Sequence, residues 1–380
     1  MSCPHCHEEA RFVGYRPKKI VSLVGELRLE RPYYHCSSCG QGHWPWDEVL
    51  RLSAQRLTPG AEEVTTLAGV QESFGKAAER TLRKLAGIRL SESSVERTTE
   101  AAGERLGKAL EKGKVFGPPQ QWDWHRDRRG KTCAYVSVDA TGILMQGDNG
   151  AKVDGRMVTV GMIYNPQPRE PGEEALSKPC DGVRYLAGLY TRGELSTQIR
   201  RQAGHVGMEE AEQWIALSDG GNGLDEFFDK NFPRAQRILD FQHAVGYLVP
   251  LAKLLRPGPA GEKLAAAWCH TLKHAGGGRM LKVLEKLDRK KMTEEGRAKH
   301  DEVMAYIRKN LHRMDYTTYL RNGWQIATGA VESACKTVVN QRLCMGGMRW
   351  GEEGSDAVAH LRALYRSDPD QWEAFWYIAV

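Results

Sequence analysis

Two apolar stretches of the chain end on aspartate. "CAYVSVDATG" runs into Asp139, and "IALSDGGNG" runs into Asp219 and then directly into glycine. An aspartate at the carboxyl end of a strand in an α/β sheet stands where ligands and metals are held. Two such carboxylates side by side repel each other unless a cation joins them. The chemistry that suits them is two-metal phosphoryl transfer, with Mg²⁺ or Mn²⁺ ions roughly 3.5–4 Å apart on the attacking and leaving oxygens. A third carboxylate is then needed, and "ATGAVESACKTVVNQRL" offers Glu332 on a weakly polar helix that Thr328 can cap. Lys336 follows at i+4 on the same helical face, where it can hold a substrate phosphate or form an ordinary salt bridge with Glu332. Arg342 and Arg349 extend this basic flank as DNA-binding candidates. Asp148, Asp154 and Asp181 stand near the first strands and would replace a triad member if the strand register were displaced by one element.

A second set of residues has metal-ligand spacing. Cys3 and Cys6 form one CxxC pair, Cys36 and Cys39 another, and strand-like sequence lies between them. Four thiolates at ~2.3 Å close a tetrahedral shell around one structural zinc, leaving no open position for catalysis. His5, His7, His35 and His43 lie close by, but four sulfurs already complete the shell. The other five cysteines show no ligand spacing and read as small buried hydrophobes.

These side chains need elements to hold them. Residues 1–50 read as a zinc ribbon, and 51–115 as a small helical module in which Ser73 caps one helix and Ser93 with Glu96 opens the next. Two short helices joined by "AGIRLS" suit a helix-turn-helix, although any three-helix unit has the same pattern. Residues 116–132, rich in Gly, Pro and charge, read as a linker. From 133 to 380 the order β-β-β-α-β-α-β, with acids ending the first and fourth strands, is the layout of an α/β ribonuclease H-like core. In that layout the first and fourth strands are neighbours, so Asp139 and Asp219 face each other. An all-helical insertion at about 245–325 precedes the helix of Glu332.

The chain of 380 residues carries a net charge of +6, unevenly placed. Residues 253–313 hold 15 Lys and Arg against 7 Asp and Glu, which suits either a phosphate-facing surface or a solvated helical face. No apolar run approaches the roughly 18 residues of a membrane span, and the amino terminus lacks a signal-peptide layout. The expected location is cytoplasmic, on the nucleoid, with no membrane partner.

Taken together, "CPHC" with "YYHCSSCGQGHWPWDE", "SVDATG", "LSDGGNGL", "DFQHAVGYL" and "GAVESACKTVVNQRL" resemble the ISKra-type family of bacterial insertion-sequence transposases, distant relatives of the Mutator-like enzymes. The resemblance runs over nearly the whole chain. It implies a DDE transposase that cleaves and joins DNA at insertion-sequence ends, with Asp139, Asp219 and Glu332 as the Mg²⁺-binding triad. It also places Asp240 and His243 of the DxxH motif in support of the site, although His243 reads equally well as an ordinary histidine at a helix start. The implied partners are the element's terminal repeats and target DNA, bound by a dimer or larger assembly. Two rivals remain: a ribonuclease H-like nuclease without strand transfer, and a non-catalytic zinc-ribbon DNA-binding regulator.

Overall fold

The computed structural model describes residues 1–52, 56–147, 151, 153–170, 178–221 and 223–377. The chain divides into two compact units. One comprises Met1–Lys108, Glu352–Leu361 and Ala374–Val380, and the other Ala109–Gly351 and Arg362–Glu373.

In the first unit, β1 (Ala10–Ser22) and β2 (Gly25–Cys36) form a long antiparallel hairpin, extended by the short β3 (Gly42–His43). After the turn α1 (Pro45–Val49) come α2 (Pro59–Gln71), α3 (Phe74–Lys76) with its π-helical continuation Ala77–Ala86, and α4 (Glu92–Glu111). Ala61, Leu82, Ile88 and Val95 form the helical core, against which Val21 of the hairpin packs. Ser73 caps α3 by accepting from the Lys76 amide at 3.4 Å. The cap of α4 is Ser91, which accepts from the Ser94 amide at 3.2 Å. The serine run therefore opens α4 two residues earlier than the Ser93–Glu96 spacing predicts.

The second unit is built on a mixed five-stranded sheet in the order β6-β5-β4-β7-β8. Its strands are β4 (Cys133–Ile143), β5 (Arg156–Pro166), β6 (Cys180–Gly188), β7 (Gln213–Ser218) and β8 (Gln236–Leu239), with α5 (Arg192–His205) before β7 and α6 (Leu224–Asn231) after it. β4 pairs antiparallel with β5 and parallel with β7, so the first and fourth strands are neighbours. Val136, Val138, Ile163, Ala216 and Phe228 are buried beneath α5 and α6. The segment 116–132 does not behave as a linker. Trp124 is buried in this same cluster, and its indole N–H donates to the Gly207 carbonyl at 3.0 Å. A large aromatic gains more by burial than by exposure, which holds the segment along the sheet unit.

After β8 the chain is helical: α7 (Phe241–Leu255), α8 (Pro259–Glu285), α9 (Glu294–Asn310) and α10 (Tyr316–Asn322). α8 breaks at Gly276, whose φ of 74° favours glycine. Then come α11 (Gly329–Ala334), a π-helical stretch Cys335–Asn340, α12 (Gln341–Leu343), α13 (Glu352–Arg366) and α14 (Pro369–Tyr377). Among the described residues no helix is long and apolar enough to cross a membrane.

Candidate active site and candidate zinc centre

The pairing of β4 with β7 sets the first two acids. Ser137 faces Leu217 at the end of the parallel ladder, and each aspartate lies two residues further on. Side chains alternate along a strand, so Asp139 shares the face of Ser137, and Asp219 stands one residue past the end of β7. Asp139 and Asp219 are directed to one place, although they are 80 positions apart. Glu332 enters the same place from the first turn of α11. All three line one cleft of about 560 Å³, together with Asp240, His243 and Tyr247.

The carboxylates are held differently. Asp139 is partly buried and accepts from the Ala140 amide at 2.7 Å, with the Cys335 thiol 3.7 Å from its other oxygen. Asp219 accepts from the Gly221 amide at 2.8 Å. A Cβ on Gly221 would stand 2.9 Å from that same carboxylate oxygen. Glu332 is exposed at the rim. Burial pushes the Asp139 carboxyl above the usual carboxylate range; the Ala140 amide opposes the rise, and the charges of Asp219 and Glu332 add to it.

Asp240 plays another part. It is buried, at 1 % exposure, and caps α7 by accepting from the His243 amide at 2.5 Å. Its second oxygen accepts from the Thr328 amide at 2.5 Å and the Thr328 hydroxyl at 2.7 Å. Its own amide donates to the Ser218 carbonyl at 2.8 Å. The residue before Asp219 and the residue four before Glu332 are thus both tied to Asp240. Thr328 does not cap α11 through its side chain; the hydroxyl donates to Asp240 and stands 3.2 Å from Glu332 Oε1.

His243 lies at the cleft with its ring exposed. Beside it Tyr247 and Tyr306 stack at 3.8 Å between ring centroids, inclined by 12°. Tyr247 falls four residues after His243 on one helical face, a spacing visible in the sequence; Tyr306 comes from α9 and carries no such signal. Arg313, 2 % exposed, reaches Ser218 Oγ at 3.3 Å and Asn310 Oδ1 at 2.6 Å, anchoring the helical insertion to the end of β7.

Several expectations change. Arg342 is fully buried, its guanidinium 4.9 Å from the Trp350 ring, so it does not present a surface to DNA. The neighbouring tryptophan draws it inward by a cation–π contact. Arg349 is partly exposed. Lys336 is exposed, does not line the cleft and, among the described residues, makes no ion pair with Glu332; the π-helical stretch that starts at Cys335 alters the i,i+4 spacing on which such a pair depends. Asp181 bonds His125 Nε2 at 2.5 Å and Gln167 at 3.0 Å, away from the cleft. Asp154 is exposed and does not line it, and Asp148 lies outside the described residues.

At the amino terminus the sulfurs of Cys3, Cys6, Cys36 and Cys39 lie within 4.8 Å of one another. Cys3 to Cys39 is 3.7 Å and Cys6 to Cys36 is 3.6 Å, against the ~3.8 Å edge of a tetrahedron with ~2.3 Å zinc–sulfur bonds. The Cys39 amide draws the Cys36 thiol down to about 6 and the His5 amide lowers that of Cys3, while against the Glu8 and Gln41 amides burial and the neighbouring sulfurs push Cys6 up to about 12 and raise Cys39. Lowered thiols favour the thiolate that binds zinc. Among the described residues, no histidine joins this cluster. The four cysteines could therefore hold a structural zinc.

No protein-family model matches the chain, and no curated protein matches it in sequence.

Proposed function

We propose that the protein is a DDE transposase: a metal-dependent enzyme that cuts DNA at the ends of an insertion sequence and joins those ends to a target. One observation carries this reading. Asp139, Asp219 and Glu332 converge on one open cleft, and among the described residues no Lys or Arg forms an ion pair with any of them. Converging carboxylates without a cationic side chain fit a divalent cation, because bound cations supply the missing charge.

The sheet supports the same reading. Its order, third-second-first-fourth-fifth with the second strand antiparallel to the first, is the one expected for a ribonuclease H-like core. A helical block between the fifth strand and the helix of the third acid agrees with the expected insertion.

In this reading the three carboxylates hold a pair of Mg²⁺ ions. When bound, such a pair supplies electrostatic stabilisation of the attacking and leaving oxygens at a phosphate. Asp240 and Thr328 tie the start of the Glu332 helix to the end of the sheet. His243, on the exposed side of the cleft, can donate to a DNA phosphate, and the basic helical insertion tracks the backbone with strong salt dependence. The four-cysteine ribbon and the helical module recognise the terminal repeats.

The test is incubation of purified protein with labelled DNA carrying the element's ends, in Mg²⁺ or Mn²⁺, comparing wild type with Asp219→Asn. Joined products that vanish in the variant support a transposase. Cut products without joining establish the nuclease, and binding without any metal-dependent cutting establishes the regulator.

A further inference from the structure

Asp139 and Asp219 border a second cavity, on the α5 and α6 side of the sheet. Its volume is about 290 Å³, and its walls include Met157, Tyr190, Leu195 and Phe227, with Thr159 and Arg192 as polar groups. Val138 and Ala140 lie on this face of β4, opposite in alternation to Asp139. The two aspartates therefore stand at the edge shared by a polar cleft and a mostly apolar pocket.

We infer that this pocket is a nucleobase subsite, which takes the base of the nucleotide next to the phosphate being cut. The inference rests on the phosphoryl-transfer reading given above. An anion cannot approach two carboxylates unless cations intervene, so a ligand spanning both regions needs a phosphate for the cations and an uncharged part for the pocket. A nucleotide has both, joined by one sugar.

Size narrows the choice further. Small-molecule sites run from roughly 300 to 1,000 Å³, so this cavity is at the lower end and admits one base rather than a base pair. The base must therefore leave its stack, as in other enzymes that draw single nucleotides out of a duplex. Met157 and Tyr190 supply polarisable and aromatic surface for its face. Arg192 supplies donors for oxygen or nitrogen acceptors on its edge. Its position depends on Gly223, where a Cβ would stand 2.1 Å from the Arg192 Nη1 and where φ is +75°.

The test uses the full chain with Mg²⁺ and two probes, thymidine 5′-monophosphate and 2-deoxyribose 5-phosphate, which differ by the base alone. Titration calorimetry is expected to give binding at least about tenfold tighter for the nucleotide. Met157→Trp, at a residue 58 % exposed and therefore tolerant of exchange, fills the pocket and should bring the ratio close to one. Tyr190→Ala should lower the ratio by removing the aromatic wall. Equal Mg²⁺-dependent binding of the two probes by the wild type overturns the subsite and leaves the phosphoryl-transfer reading standing. A ratio that both variants leave unchanged also overturns it, since the base must then bind elsewhere. Absence of Mg²⁺-dependent binding of either probe overturns both.

Discussion

The buried carboxylate of Asp240 accepts two hydrogen bonds from Thr328, at 2.5 Å from the amide and 2.7 Å from the hydroxyl, across 88 residues of chain. This contact joins the end of the sheet to the start of α11. Through it, the position of Glu332 relative to Asp219 is set by a residue that sequence reading placed only in a supporting role.

Asp240→Asn keeps the size of the side chain but sets an amide against donors. The expected loss is about 2–3 kcal/mol of stability, as for buried hydrogen bonds to a charged group. Calorimetric unfolding measures it, and DNA cleavage at a temperature where the variant is folded should fall as well. An unchanged Tm would show that Asp240 does not hold the two segments together.

Divalent ions should raise the Tm of the wild type by binding only the folded site. Without metal, Asp139→Asn removes a charge that burial and its neighbours disfavour. Since the folded Asp139 carboxyl titrates above the usual carboxylate value, its ionisation costs stability that is lost as pH rises from the ordinary value through the raised one. The variant should therefore be at least as stable as wild type at neutral pH, insensitive to Mg²⁺, and about 10²-fold or more less active. A variant that Mg²⁺ still stabilises fully would remove Asp139 from the metal site.

Metal analysis should find one zinc per chain, lost on Cys36→Ser. Because the thiolates supply the core of this small hairpin end, chelation should unfold the ribbon, seen as rapid amide exchange over Cys3–Cys39. Retained protection after complete removal of zinc would contradict a structural role.

Gly220 lies beneath Tyr306, where an added Cβ would approach the ring to 2.7 Å. Gly220→Ala should cost about 1–3 kcal/mol by overpacking. Combining it with Tyr306→Ala should recover part of that cost, because the two positions share one contact. Strictly additive losses in the double variant would place the strain elsewhere.

Much of the candidate site was legible in residue order, because strands alternate with period two and helices repeat near four. Asp139 and Asp219 stood out as acids ending apolar runs, and Glu332 as a lone acid on a weakly polar helix; the paired CxxC spacing marked the ligand cluster before any fold was known. Such signals are local and are carried by residue order alone. What the tertiary structure alone decided was long-range. Arg342 turned inward because Trp350 offers its ring, Trp124 drew an apparent linker onto the sheet, and Tyr306 and Arg313 arrived from the helical insertion. Thr328 turns its hydroxyl toward Asp240 and away from the amides of its own helix, since a buried carboxylate left without donors costs more than helix-end amides that water can reach. Those outcomes depend on which surfaces meet, and no period in the sequence encodes that.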